Sequence, residues 1–484
     1  MRTTGGRLVA IAAGLALACG VLVVAASGQP ARPSLALEGI AQDPCAPQAV
    51  LAVPDGIKGW YLPGSSVLRT SGGVYAAPGR VTPMTPAQAA CVRAALRASR
   101  QWLAAGTIPG VTGQQRSMAT RALLDLRLLT RPDGAVVAAW HSAWRYAWPR
   151  DSSWVAAALA DTGHQADSFR VLRFLQRMQL ADGTWAARYW PDGAGPVQDG
   201  RPAELDATGW VPWAVWRWAA ALRPGDRAGR RQLALLWPMV EAAAGAADRA
   251  LTADGLPAAS MDYWEDSTTV TLGTAGPLLA GLRAAADLAA TVGAAAEEQR
   301  WSAAAVRLAG AIAIKFGRSG YHRLPQDTSG ADAAIAFLGP PFAAAGPGLE
   351  RAARAAQAAL TMPGGGLRPG TSWPGNPTSA WTAETAFFAL LWAAAGDHQR
   401  SDAILSWLAA HRTRLGALSE QVVHGKAVAV APLAWTDAVV LLALLAQRHR
   451  PAVLPVPQVH APAAAAEMRH WACVCRVSAL PADS

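Results

Sequence analysis

Apolar stretches of helical length alternate with polar breaks over most of this chain. Between about residues 83 and 448, Ala- and Leu-rich segments are separated by connections rich in Gly, Pro and Asp, the residues that end helices and make turns. The pattern predicts helices at 86–104, 115–129, 151–161, 166–179, 205–222, 227–251, 270–292, 294–316, 332–337, 348–361, 379–395, 398–411 and 433–447. Strand-type alternation is almost absent. The one strand-like patch, AVVAAWHSAWRYAW at 135–148, reads as a hairpin. About a dozen helices in sequential pairs can stack as an open solenoid or close into an (α/α)6 toroid. Long, irregular connections favour the toroid, an all-α barrel in which one face gathers the loops. The barrel is expected over 83–449. A Pro-, Gly- and Ser-rich irregular segment, 29–82, precedes it, and a Pro/Ala-rich tail at 450–484 reads as disordered.

The first residues add a compartment. Arg2 and Arg7 precede an uncharged run from Leu8 to Ser27, which reads as an export signal cut near Gly28 (1–28) or as an uncleaved anchor holding residues 8–27 in a membrane. Either way the rest of the chain is expected outside the cytoplasm, secreted or membrane-anchored. There, cysteines can oxidise. Of the five, Cys19 falls in the targeting segment and Cys473 and Cys475 in the tail, where a CxC pair without His nearby is a weak metal signal. Cys45 and Cys91 are the disulfide candidates; two buried thiols are the alternative.

Formal net charge is +10, yet only three of the 43 basic residues are lysines, and the arginines are scattered without a run. That distribution argues against a nucleic-acid partner. The aromatic content points elsewhere: 21 Trp stand against six Tyr and seven Phe, and twelve of the Trp lie between Trp140 and Trp264. Cores draw on Phe and Leu first, whereas an indole offers a broad apolar face and an N–H donor, which suits stacking on sugar rings. Several Trp are therefore expected to line a carbohydrate groove, with Trp392 and Trp407 in the core.

Carboxylates supply candidate chemistry. In SMDYWEDSTTV, Asp262, Glu265 and Asp266 surround Trp264. Asp262 or Asp266 can cap the helix near Val270, but capping does not account for Glu265 beside an indole. A carboxyl group against an apolar ring is poorly solvated when ionised, so it holds its proton and can act as a general acid. Its partner would be Glu420, in GALSEQVVHGKAV, expected in a polar loop and ionised. In RYAWPRDSSW, Arg150 and Asp151 lie between Trp148 and Trp154. They read either as a helix start after Pro149 or as a pair gripping sugar hydroxyls.

Together these stretches resemble glycoside hydrolase family 15, the glucoamylases, glucodextranases and related trehalases. The family's WxRD stretch matches Trp148 to Asp151; its acid stretch matches Asp262, Glu265 and Asp266. Its base stretch matches Ser419-Glu420-Gln421 followed by Pro432-Leu433-Ala434-Trp435. LRPGTSWPGNP, with Arg368, is similar to a substrate-binding loop of the family, and ELDATGWVPWAVW to one of its helices. The resemblance implies an (α/α)6 barrel and an exo-acting, inverting hydrolase that releases glucose from the non-reducing end of an α-glucan or α-glucoside. Glu265 would be the general acid and Glu420 the general base. Arg150, Asp151, Trp148, Arg368 and Trp435 would hold sugar, and Asp262, Trp264 and Asp266 would orient the acid or contact the leaving sugar. A monomer acting on an oligo- or polysaccharide is expected, without metal or cofactor. The departures are an N-terminal segment too short for the β-sandwich many prokaryotic members carry, a short 189–202 segment, and no visible starch-binding module. A catalytically silent relative, and a helical-toroid polysaccharide lyase using a Tyr/His pair, are the alternatives.

Overall fold

The computed structural model describes residues 37–266, 268–325, 329–344 and 346–448. Among them are twelve α-helices: α1 Pro86–Ala105, α2 Gly113–Leu129, α3 Pro149–Asp161, α4 Gln165–Met178, α5 Ala207–Ala220, α6 Arg227–Arg249, α7 Leu272–Val292, α8 Ala295–Lys315, α9 Pro347–Leu360, α10 Thr382–Ala395, α11 His398–Ala410 and α12 Ala434–Arg448. Each expected helix is present within a few residues, except that 332–337 winds as a 3-10 helix, Ala333–Leu338.

Six of these elements close a ring: α3 packs on α5, α5 on α7, α7 on the 3-10 helix, that helix on α10, α10 on α12, and α12 back on α3. Each has an outer partner. In order these are α4, α6, α8, α9, α11 and α2. The arrangement is the (α/α)6 toroid. Sequence explains which elements go inside. The inner ones carry no polar stripe: α3 is buried from Pro149 to Ala160, α5 from Ala207 to Trp218 and α10 from Thr382 to Ala394. Outer α4 buries one face only, Ser168, Val171, Leu172, Phe174 and Leu175, as an amphipathic surface helix must. Glycine permits the closest crossing. A Cβ on Gly209 would lie 2.0 Å from the Pro277 carbonyl oxygen of α7, and one on Gly281 would lie 2.5 Å from Gly209 Cα. The barrel centre is aromatic, with Trp154 surrounded by the rings of Trp210, Trp213, Phe337, Phe342, Phe387 and Trp435 at centroid distances of 4.9–6.5 Å.

Because outer and inner elements alternate, the two faces differ. Short connections such as 162–164 and 396–397 run from inner to outer elements. Long loops, 130–148, 179–206, 250–271, 361–381 and 411–433, run from outer elements to the N-termini of inner ones. Nearly every stretch with candidate chemistry lies on that second face.

Two expectations need correction. Residues 37–82, read as irregular, carry two small antiparallel sheets: β1 Leu37–Gln42 with β2 Val50–Pro54, and β3 Trp60–Tyr61, β4 Leu68–Thr70, β5 Gly73–Ala76 and β6 Arg80–Thr82. The strands are too short to show alternation. They are held by the Cys45–Cys91 disulfide to α1, by Arg121 of α2 donating to Ser65 O (3.3 Å) and Ser66 Oγ (2.7 Å), and by Thr413 donating to Glu38 O (2.6 Å). The 135–148 patch doubles back through Ala138 N–H to Tyr146 O and Ala139 N–H to Trp144 O, but forms a 3-10 turn, Ser142–Trp144, rather than paired strands. Its apolar residues Ala135, Val136, Val137 and Ala139 join the main core, and its strand-like pairing is limited to single bridges, Val136 with Thr130 and Ala147 with Tyr189. The targeting segment 1–28, Cys19, and the tail with Cys473 and Cys475 lie outside the described residues. Among the described residues no helix is long and apolar enough to cross a membrane.

Candidate active site

Five of the six inner elements begin with an acid at or just before the first turn; α7 starts at Thr271 instead. Asp151 opens α3, Asp206 precedes α5, Asp332 caps the 3-10 helix, Glu384 lies in the first turn of α10 and Asp437 in that of α12. All five are buried. Helix N-termini favour negative charge, but burial opposes it, and the outcome differs by neighbour.

A pocket opens among these N-termini. Ala138, Trp144, Trp148, Arg150, Asp151, Tyr263, Glu265, Trp381, Ala383, Glu384, Glu420, Leu433 and Trp435 line it around a cavity of about 110 Å³. Glu265 and Glu420, 155 residues apart by number, therefore share one recess. Glu265 arrives on the loop before α7. Glu420 immediately precedes β8 Gln421–Val423, the middle strand of a sheet with β7 Ser379–Trp381 and β9 Lys426–Val428. Its backbone is pinned there by Glu420 N–H to Val430 O (2.9 Å) and Thr382 N–H to Glu420 O (3.0 Å).

Arg150 and Asp151 enter the floor from α3. Arg150 is buried and pairs with Glu204 and, at 3.1 Å, with Asp206. Its guanidinium carbon lies 5.0 Å from the Trp435 ring centroid. Asp151 is pushed up to about 6 by burial, against the pull of Arg150. Glu204 and Asp206 were not singled out from the sequence, though both stand just ahead of an otherwise apolar helix.

The environments of the two glutamates are the reverse of the expectation. Glu420 is half-buried at the start of a strand rather than in an open polar loop. Burial pushes its carboxyl up to about 7, while hydrogen bonds from Trp144 Nε1 (3.1 Å) and Gln421 Nε2 (3.4 Å) pull the other way. Glu265 keeps 28% of its side chain exposed and is ion-paired with Arg201. The indole meant to desolvate it is already engaged: Trp264 lies under the Arg323 guanidinium at 3.6 Å and meets Trp373 edge-on at 4.9 Å.

Arg323, another residue that sequence reasoning passed over, organises the whole acid stretch. It is buried, donates to both oxygens of Asp262 (2.7 and 3.1 Å) and to Asp266 (2.8 Å), and reaches Asp332 at 3.5 Å. Asp262, Trp264 and Asp266 thus hold the loop and do not line the recess. Glu265 sits between them at φ 55°, in the left-handed region that a residue with a side chain enters only under constraint. Its amide donates back to Asp262 O at 2.9 Å. Arg368 is not brought to the pocket: its guanidinium donates to Ala359 O of α9 at 3.4 Å. Of the tryptophans, Trp144, Trp148, Trp381 and Trp435 line the pocket and Trp392 is core. Trp407 is half-buried, its indole N–H on Gly364 O at 2.9 Å.

No protein-family model matches the chain. It is similar to an uncharacterized glycosyl hydrolase of Methanocaldococcus jannaschii, 29% identical over 181 residues, 36% of this chain and 27% of that protein. The match thus spans about a quarter of that relative's length. Among solved structures, a wild-type glycosidase aligns with a TM-score of 0.59 at 20% identity, over 70% of this chain and 99% of its own. A bacterial glucoamylase complexed with acarbose aligns at 0.61 and 16% identity, over 77% of this chain and 60% of its own. The glucoamylase from Saccharomycopsis fibuligera aligns at 0.53 and 11% identity, over 65% and 89%. The (α/α)6 barrel of this chain is thus the fold found in glycosidases and glucoamylases of known structure.

Proposed function

We propose that the chain is an exported glycoside hydrolase that removes a terminal glucose from the non-reducing end of an α-glucoside with inversion of configuration. The observation that carries this reading is the meeting of Glu265 and Glu420, from separate loops, in one pocket floored by Arg150 and Asp151. Two carboxyl groups on one glycosidic bond are what the chemistry needs: one protonates the leaving oxygen, the other activates water on the opposite ring face. Glu265, on the more open side and strained toward the pocket, is the acid. Glu420, held by Trp144 and Gln421, is the base. With the barrel centre filled by aromatic rings and Trp148 and Trp435 in the lining, the pocket suits a terminal sugar rather than a chain passing through. The similarity to glycosidases and glucoamylases supports the reaction class, and the Cys45–Cys91 disulfide supports export.

A lyase is disfavoured by charge and by composition. Its elimination needs a uronate, but Asp151, Glu265, Glu384 and Glu420 line the pocket against a single Arg150 that is already paired. No His is among the lining residues, and Tyr263 donates its hydroxyl to Asp332 at 2.9 Å. A silent relative would lack one of the two glutamates, and both are present.

The test is glucose release from a panel of α-linked disaccharides: maltose, isomaltose, kojibiose, nigerose and trehalose. Release from at least one, lost in Glu420→Gln, is expected. No release from any of them, with unsaturated products from a uronate polymer instead, would overturn the reading.

A further inference from the structure

One buried group at the pocket is used by none of the chemistry above. Glu384 lines the pocket from the first turn of α10, is 4% exposed, and its Oε2 has no hydrogen-bond partner. Leaving a polar atom unpaired in a low-dielectric wall is unfavourable. A sequence that places the only charged side chain of a wholly buried helix at that spot has a partner for it when the pocket is filled.

We propose that Glu384 is a substrate-contacting specificity residue, a neutral carboxylic acid that donates a hydrogen bond to an oxygen of the uncharged sugar seated between Glu265 and Glu420. This rests on the glycosidase reading of the same pocket.

The surroundings decide the protonation state. Glu420 faces Glu384 from the β8 side, Asp332 from the cap of the 3-10 helix, Tyr263 from the loop before α7, and Arg150 from α3; Asp151 and Glu265 complete the charged lining. A hydrogen bond from its own backbone amide and, more weakly, Arg150 favour the ionised form, and Arg150 is shared among Glu204, Asp206 and Asp151. Burial first, then repulsion from Glu420 and Asp332, push Glu384 up to about 8. At neutral pH the group is therefore a donor as well as an acceptor. Asp151 and Glu420 are acceptors toward sugar hydroxyls when ionised, so Glu384 supplies a complementary donor where the only cation is engaged. The same wall repels an anionic sugar. A hexuronide would place a carboxylate beside Asp151 and Glu420 when these are ionised, whereas a neutral hexoside meets two acceptors there and donors at Glu384 and Glu265.

Two variants and one ligand test this. Calorimetry with glucose, the product, reads occupancy of the pocket whether or not the chain turns out to be a hydrolase. Glu384→Met should weaken glucose binding on the order of tenfold, the loss of one neutral hydrogen bond. Glu384→Gln keeps the size and an N–H donor, and should stay within about threefold of the wild type at pH 7. It should also abolish the fall in affinity that the wild type shows as pH rises through 8. Glucuronic acid should bind neither wild type nor Glu384→Gln. If Glu384→Gln loses as much as Glu384→Met, the group acts as an anion and the proposal is wrong. If neither variant changes glucose affinity, Glu384 does not touch the sugar and the proposal is also wrong. Should Glu384→Met fail to fold, the pH dependence of Glu384→Gln alone decides. A wild type that binds glucose with this pattern but cleaves no α-glucoside would remove the hydrolase reading and leave the role of Glu384 intact.

Discussion

Trp144 donates its indole N–H to Oε1 of Glu420 across 3.1 Å, from a loop 276 residues earlier in the chain. The contact joins the 130–148 loop to the strand edge that carries the proposed base, and it favours the ionised carboxylate. Glu420 must be ionised to take a proton from water, so activity should rise with pH through its value of about 7. Trp144→Phe removes a charge-assisted bond worth about 1.5–3 kcal/mol, so the acid limb of kcat/KM should move up by about one pH unit or more. An unchanged acid limb in a folded variant would separate Trp144 from the base.

Arg323 should matter through Glu265. It anchors Asp262 and Asp266 on either side of the strained Glu265 backbone. Arg323→Lys keeps a charge but loses the planar fork that grips Asp262 through both oxygens. A shift of the acid by about 1 Å is expected to reduce turnover of an unactivated disaccharide on the order of 10²-fold. A glucosyl fluoride, which leaves with little proton help, should be affected far less, the same split expected of Glu265→Gln. Asp266→Asn, at the partly exposed end of the network, should show a weaker form of it. Equal losses on both substrates would make Arg323 purely structural.

Stability should be greater in mild acid than at pH 8. Asp437 is buried with both carboxylate oxygens unpartnered, and burial, then repulsion from Asp125, raises its pKa. Glu420 and Glu384 are raised to about 7 and about 8. A group whose folded pKa is raised binds its proton more tightly when folded. Its contribution is fully present below the unfolded value near 4 and is lost as pH climbs through the folded value. Surface acids such as Asp182 and Asp397, whose pKa values are lowered, work oppositely and only below that range. Thermal unfolding should therefore give a higher Tm at pH 5 than at pH 8. Asp437→Asn, at a residue that does not line the pocket, should narrow the gap by raising the pH 8 value. A Tm that rises from pH 5 to pH 8 would refute this.

The helices were readable because barrel packing follows from composition: inner helices apolar all round, outer ones striped, Gly and Pro between them. The 3-10 helix at Ala333–Leu338 was seen as an apolar element but not as a tighter winding. Stretches that reach the pocket stood out where local chemistry is unusual, as at Arg150-Asp151 and Ser419-Glu420. Contacts between distant segments were not: nothing near Trp144 points to Glu420, and nothing near Arg323 points to Asp262. Trp264 misled because adjacency in sequence was taken for contact, whereas Arg323 occupies its face. One signal was legible and unused, the acid opening five of the six inner elements, which marks Asp206, Asp332 and Glu384 along with Asp151.

The central claim is that Glu265 and Glu420 work on opposite faces of one bond. Water then needs room between them, a carboxyl separation of about 6.5–9.5 Å, and the anomeric configuration must invert. Proton NMR of the first product formed from the best α-glucoside reads this directly, before mutarotation mixes the anomers. Initial appearance of β-glucose is predicted; initial appearance of α-glucose would mean retention and would contradict a water-activating role for Glu420.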